Sequence, residues 1–440
     1  MDIRKSLGAL LLAAMSLTQA NAATEAVQAD TTGYDRFRFG GYGEILAQFK
    51  DYGINRFAGT GGGNARTHRN TVSIPRFVLA TDFKFTPSWI LGAEIEFEAG
   101  GTGTAVELEN SENGEYETEI EKGGEVALEQ LHITRLITPA FNVRAGHMIV
   151  PVGLTNAHHE PINFFGTSRP EAETSLIPST WHETGIEFFG TFGSRHALFD
   201  YQVMVVAGLN ANGFDRNDWI IGGKQGFFET DNFTSPGYVA RLDYRGVPGL
   251  RTGFSVYYCH DAGRNSDKEQ TYSAIGRIPV AVATWDAQYR NRFITARANV
   301  TYGYVGNSAA LSEANRMLSN KSPYSRLIPV AKNALSYGAE VGFNIASVVK
   351  AARCPVIWPY VRYEYYNPQY RGEGRMTMDS RLEVSQWQAG LNWQALPNLV
   401  VKADYTTRQI GTQNVFGKGP YNSENEFAIG IAYVGWFFRK

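Results

Sequence analysis

Polar and apolar residues alternate with period two over most of the chain beyond residue 35. Phe37, Phe39, Gly41, Gly43, Ile45, Ala47 and Phe49 fall on one row, and Arg36, Arg38, Gly40, Tyr42, Glu44 and Gln48 on the other. Phe77, Leu79, Thr81, Phe83 and Phe85 alternate with Arg76, Asp82 and Lys84. Trp89, Leu91, Ala93, Ile95 and Phe97 alternate with Glu94, Glu96 and Glu98. Successive side chains on a strand point to opposite faces, so each segment reads as a strand with one apolar and one charged face. A soluble sheet would turn the apolar face to a core. A membrane barrel would turn it to lipid and the charged face to an aqueous lumen.

The same pattern predicts strands at 125–137, 141–152, 183–192, 197–208, 237–245, 250–260, 279–289, 293–305, 334–345, 356–366, 382–395, 399–408 and 425–438, which with the first three makes 16. Each has ~9–14 residues, the length of a tilted strand crossing a bilayer. The connections are sorted by length. Those after even strands are short, such as Thr86-Pro87-Ser88, Thr138-Pro139-Ala140 and Leu396-Pro397-Asn398, with 346–355 the longest. Those after odd strands are long, as at 50–70, 100–124 and 154–182. Antiparallel hairpins give this alternation when one end faces the periplasm and the other the exterior. The expected fold is therefore all-β: a 16-stranded antiparallel transmembrane β-barrel over residues 36–440.

Composition agrees. Aromatics reach 13%, and beyond residue 22 there is no run of ~18 uncharged apolar residues to make a membrane helix. Interfacial aromatics such as Trp89, Tyr238, Trp387 and Tyr405 fall near strand ends on the apolar rows. The N-terminus reads as a signal peptide over 1–22: Arg4 and Lys5, an apolar core at 7–17, and a small-x-small site at Ala20-Asn21-Ala22, with cleavage after Ala22. Residues 23–35 would form a short periplasmic segment. Cleavage removes Asp2, Arg4 and Lys5 and takes the formal charge from −2 to −3, a balance that points to neither nucleic acid nor a strongly charged partner, and no nucleic acid is expected. Cys259 and Cys354 fall near opposite ends of the expected barrel, beyond disulfide reach.

The stretch Val143-Arg144-Ala-Gly146-His-Met-Ile-Val-Pro151-Val-Gly153 resembles the strand and turn entering the third loop of the phosphate-selective porin O and P family. Tyr360-Val-Arg362-Tyr-Glu364-Tyr-Tyr-Asn-Pro368 resembles a late strand of that family, and the closing strand, with its terminal aromatics, resembles those of bacterial outer-membrane barrels. His158-His159-Glu160-Pro161 and Trp181-His182-Glu183-Thr184-Gly185 are similar to its Bacteroidetes-type branch. The resemblance implies a trimeric outer-membrane porin whose third external loop folds inward. Phosphate-specific members carry basic residues along the path. Here the second external loop holds Glu107, Glu109, Glu112, Glu115, Glu117, Glu119 and Glu121 against Lys122, and such a run repels anions.

The expected function is passive diffusion of small hydrophilic solutes or ions through the outer membrane. The alternatives are an anion- or phosphate-selective channel, and a non-conducting barrel acting as enzyme or adhesin. Arg76, Arg144, Arg241, Arg251, Arg297, Arg362 and Lys402 fall on the lumen row, with Glu94, Glu96, Glu98, Asp286, Glu340 and Glu364. Charges lining a pore set its selectivity, and a mixture of signs predicts a weak one. Cross-strand pairing that stiffens the wall is the competing role. Loop 154–182 is the expected constriction, carrying His158, His159, Glu160, Arg169, Glu171 and Glu173. Adjacent histidines point apart on an extended backbone, so His158, His159, Glu160 and His182 read as loop packing rather than a metal site. His132, Ser175 and Ser179 are the only groups suggestive of hydrolysis, and Gly-x-Ser-x-Gly and phosphate-loop motifs are absent. No cofactor is expected.

Overall fold

The computed structural model describes residues 35–54, 66–98, 106–110, 116–120, 125–225, 231–266, 272–317, 328–349, 354–411 and 421–439. The signal peptide and most of the acidic second loop lie outside them. The wall strands are β1 (Phe37–Ile54), β2 (Arg66–Ser73), β3 (Arg76–Thr86) and β4 (Trp89–Glu98). β5 (Val106–Asn110) and β6 (Tyr116–Ile120) form a separate two-stranded sheet within the second long connection. The wall continues with β7 (Glu125–Thr138), β8 (Phe141–Ile149), β9 (His182–Ser194), β10 (Ala197–Val206), β11 (Gly237–Tyr244), β12 (Leu250–Cys259) and β13 (Val280–Arg290). It ends with β14 (Ile294–Val305), β15 (Asn333–Phe343), β16 (Val356–Arg371), β17 (Val384–Leu396), β18 (Leu399–Gly411) and β19 (Tyr421–Arg439).

Each wall strand pairs antiparallel with its sequence neighbour, and β1 pairs with β19 to close the cylinder. β2 and β3 both pair with β1, through Leu46↔Ser73 and Gly43↔Phe77, and only Ile74-Pro75 separates them. Proline has no N–H for the ladder and interrupts it locally. Counted as one broken strand, they give a closed 16-strand antiparallel barrel. Sixteen strands leave an interior wide enough for an aqueous channel.

Several strands outrun the expected limits at the long-loop end. β1 reaches Ile54, β16 reaches Arg371, and β19 starts at Tyr421. Hydrogen-bonded pairing continues beyond the stretch whose outer face is apolar, so hydrophobic alternation understates strand length there.

The expected faces hold. Ile45, Ile95, Phe254, Trp387, Tyr405 and Ile431 are exposed on the outside, Trp387 at 56%. They form a belt of apolar and aromatic groups around the cylinder, which fits hydrocarbon on the outside. No helix among the described residues is long and apolar enough to cross a membrane. The inward rows carry buried polar groups instead, among them Glu96, Arg241, Asp286, Glu340, Arg362 and Lys402. One irregularity matters below. Glu94 pairs with Gln130 and Ile95 with Leu128, so Glu129 is the extra residue of a β-bulge. Glu129 and Gln130, adjacent in sequence, are both buried. Cys259, at the long-loop end of β12, and Cys354, in the turn before β16, are free thiols.

Candidate channel interior and its third loop

β8 ends at Ile149 and β9 begins at His182. The residues between them run through the interior of the cylinder, held to wall side chains on many strands. Val150, Val152, Leu176, Ile177 and Trp181 are buried in one cluster with Met204, Val206, Val239 and Tyr257 of the wall. This apolar patch roots both ends of the loop. At Gly153, φ is 82°, a left-handed conformation that favours glycine. Its N–H donates towards Ser255 Oγ and Thr284 Oγ1, each at 3.2 Å, and its carbonyl accepts from Arg241 at 3.3 Å. Arg241 is itself gripped by Asp243 and Asp286 at 2.8 Å.

Further round, the loop backbone is caught by charges. Lys402 Nζ donates to the carbonyls of Pro161, Phe164 (3.0 Å) and Gly166 (2.7 Å). Asp404 accepts from Thr167 N at 2.7 Å and Thr167 Oγ1 at 3.1 Å. Arg362, paired with Glu340, donates to Ser168 O at 3.2 Å. Glu364 accepts from Ala172 N at 3.1 Å. Arg297 binds Thr155 Oγ1 at 2.7 Å and Glu173 Oε1 at 2.6 Å, and Glu173 Oε2 caps Thr155 N at 2.6 Å. Arg408 and Tyr366 both donate to Glu171 Oε2 at 3.0 Å. A buried ion costs several kcal/mol unless it is paired or hydrogen-bonded; Arg297, Arg362 and Arg408 are paired with carboxylates, while Lys402 and Asp404 are held by hydrogen bonds alone.

The expected lumen residues thus divide. Arg241, Arg297, Arg362, Lys402, Asp286, Glu340 and Glu364 are buried, and they fix the loop or each other. Arg76 joins Glu44 (3.1 Å), Glu96 (3.3 Å) and Glu98 (3.9 Å). Arg144 pairs with Glu187 at 3.0 Å, and Arg251 with Asp243 at 3.0 Å and with His158. Glu94 takes a hydrogen bond from Gln130. Of the expected constriction residues, His158, His159, Glu160 and Glu173 are buried against the wall, Arg169 bonds Ser179 at 3.2 Å, and Glu171 is taken up by Arg408.

Burial drives the loop groups towards neutrality. It depresses His158 well below the usual histidine range, helped by the neighbouring Arg251 guanidinium, and lowers His159 to about 4. It pushes Glu160 up to about 8, with Glu129 adding repulsion. Ser179 Oγ is engaged by Arg169, and His132 meets Thr134 at 3.5 Å. Those groups do not form a nucleophile–base pair.

Two cavities flank the loop. One of about 510 Å³ lies at the short-turn end, bounded by Ile162, Phe164, Arg144, Glu187, Arg251 and Pro248 among others. The other, about 350 Å³, lies at the long-loop end beside Ser175, Arg216, Asp218 and Tyr366. Alternation alone does not single out Glu129 or Glu187. For Glu129 a signal existed: the outward residues Val126, Leu128, Leu131 and Ile133 slip phase between 128 and 131, which is where the bulge lies.

No protein-family model matches the chain. An uncharacterized protein of Aquifex aeolicus (strain VF5) is 23% identical over 376 residues, covering 83% of this chain and 75% of its own length. Among solved structures, OmpF of Salmonella typhi, in complex with daunomycin, is similar at TM-score 0.53 and 9% identity, covering 91% of this chain and 98% of that one. The outer membrane channel DcaP of Acinetobacter baumannii is similar at TM-score 0.50 and 11% identity, covering 93% of this chain and 99% of that one. The fold is therefore that of the outer-membrane porin barrels.

Proposed function

We propose that this chain is an outer-membrane channel through which small hydrophilic solutes and ions diffuse, with the third loop as its internal partition. The observation that carries this reading is the division of the wall: an apolar belt outside and ionic rows inside a closed cylinder. A barrel with a polar, water-accessible interior needs no energy source to pass solutes down their gradient.

The weak selectivity expected from mixed charges is supported by the short-turn cavity. There Arg144 is balanced by Glu187, Arg245 by Asp200 and Arg251 by Asp243. Pairs of opposite sign leave little net field to sort ions. Preference for phosphate or another anion, as the O and P family resemblance implies, is the alternative. Planar-bilayer recording tests both. A reversal potential near zero under a KCl gradient is the expected result, and a strongly anion-directed potential with phosphate block would replace it with the anion-selective reading.

A second reading is a barrel sealed at rest. It is favoured by one observation, the attachment of the loop to β11, β14, β16 and β18 by buried charges. Absence of conductance in the parent protein, with conductance after Lys402→Met, would support it. The remaining expectations complete the proposal: removal of residues 1–22, checked by N-terminal sequencing of the mature protein, and assembly as a homotrimer, checked by mass measurement in detergent.

A further inference from the structure

Where the loop meets β4 and β7, three side chains converge: Glu94, the bulge residue Glu129, and His159. One donor atom of each lies within 4.8 Å of the others. His159 and Glu129 are 2% and 0% exposed. Neither oxygen of Glu129, nor Nε2 of His159, makes a hydrogen bond, although the Thr180 hydroxyl lies alongside.

The tautomer makes this arrangement unusual. His159 Nδ1 lies 3.3 Å from Asn156 O, a partner that can only accept. Nδ1 therefore carries the proton, and Nε2 presents a lone pair. That lone pair faces Glu129 Oε1 at 3.5 Å, an acceptor facing an acceptor. Such a contact is favourable only with a metal ion or a proton between the two atoms. Two donors bound to one zinc ion stand ~3.4 Å apart, from bond lengths near 2.1 Å and tetrahedral angles.

The surroundings fit the same conclusion. An imidazole whose second nitrogen donates to a backbone carbonyl is the usual support of a metal-bound histidine. Gln130 supplies a comparable hydrogen bond to Glu94. Glu94, Glu96, Glu129 and Glu160 crowd together beside Arg76 and Arg169, and a divalent ion would relieve the repulsion among them. The bulge is what turns Glu129 inward, and bulges recur where a side chain must be re-aimed.

We infer that Glu94, Glu129 and His159 form a divalent-cation site of the zinc class that pins the third loop to the β4–β7 wall. Water would complete the tetrahedron. The site reverses the sequence expectation that this histidine only packs, and it stands apart from the channel proposal, since its readout is metal content rather than current.

The test uses the full-length mature protein folded in detergent, stripped with chelator, incubated with Zn²⁺ and dialysed against metal-free buffer. Elemental analysis should find about one zinc per chain, since each chain carries a complete ligand set. Glu129→Gln and His159→Gln should each abolish retention while keeping the heat-modifiable mobility of a folded barrel. Gln130→Leu, which removes only the support of Glu94, should weaken zinc roughly tenfold. Zinc absent from the folded parent, or retained equally by Glu129→Gln, would overturn the assignment and leave a shared proton as the occupant of the gap. Should either variant fail to fold, Gln130→Leu decides alone, by whether its affinity falls.

Discussion

The third loop meets the barrel along two seams built from similar residues to different standards. Along β11–β18, every wall cation and carboxylate touching the loop has at least one hydrogen bond: Arg241, Arg297, Arg362, Lys402, Asp404 and Glu364 are all engaged. Along β1, β4 and β7, Tyr42 Oη, both oxygens of Glu129, His159 Nε2, and Nε and Nη2 of Arg169 have no partner. A buried group with no partner at all costs free energy until something fills its place, and Glu129 on the second seam is such a group, whereas Arg408 on the first lacks a partner only at Nε and is bonded through Nη1 and Nη2. One seam is an anchor. The other is a receptor for a ligand, and metal is the ligand its donor set fits.

The largest effect should come from breaking the anchor. Lys402→Met leaves three loop carbonyls without their donor and should lower barrel stability by about 3 kcal/mol, read as a shifted urea midpoint in detergent. The same variant should raise single-channel conductance, because a released loop obstructs less. A smaller loss belongs to one clamp within the anchor. A double-mutant cycle with Arg297→Met and Glu173→Gln should report a coupling of about 2 kcal/mol. A coupling near zero would mean that the clamp is replaceable by water.

The receptor seam should respond with the opposite sign. In chelated buffer, Glu129→Gln removes a buried charge that lacks a hydrogen bond, so the urea midpoint should hold or rise. Acidity sharpens the contrast further. Glu160 titrates near 8 in the folded protein, against an ordinary value of 4.5. The folded state holds that proton more tightly, so its contribution is fully present below pH 4.5 and declines as the pH rises to 8. Glu160→Gln should flatten the stability profile over that window. The smallest effect serves as the control: Arg316 and Glu313 pair on a long connection with both side chains more than half exposed, and Arg316→Ala should leave stability and conductance unchanged.

The fold was largely readable because alternation reports which face of a strand meets which solvent. The apolar rows at Ile45, Ile95 and Ile431 are outside as expected. Where pairing runs beyond the apolar face, as in β16 and β19, the pattern stops before the strand does. The inward direction of Arg362 and Lys402 was also legible, but their role was not. An irregular loop has no period, so nothing local to its sequence says that Gly166 O will meet Lys402. Glu129 was hidden differently, because a strict two-residue period places it on the wrong face until the bulge is recognised.

The pairing of β1 with β19 makes closure depend on both ends of the described wall. Residues 37–54 and 421–439 lie at opposite extremes of the chain and are hydrogen-bonded neighbours from Arg38↔Arg439 to Asp51↔Asn425. Until the last strand arrives, the first keeps a bare row of amide donors and acceptors, which invites pairing with other chains. A fragment that lacks residues 421–439 therefore cannot close the cylinder and keeps that edge open.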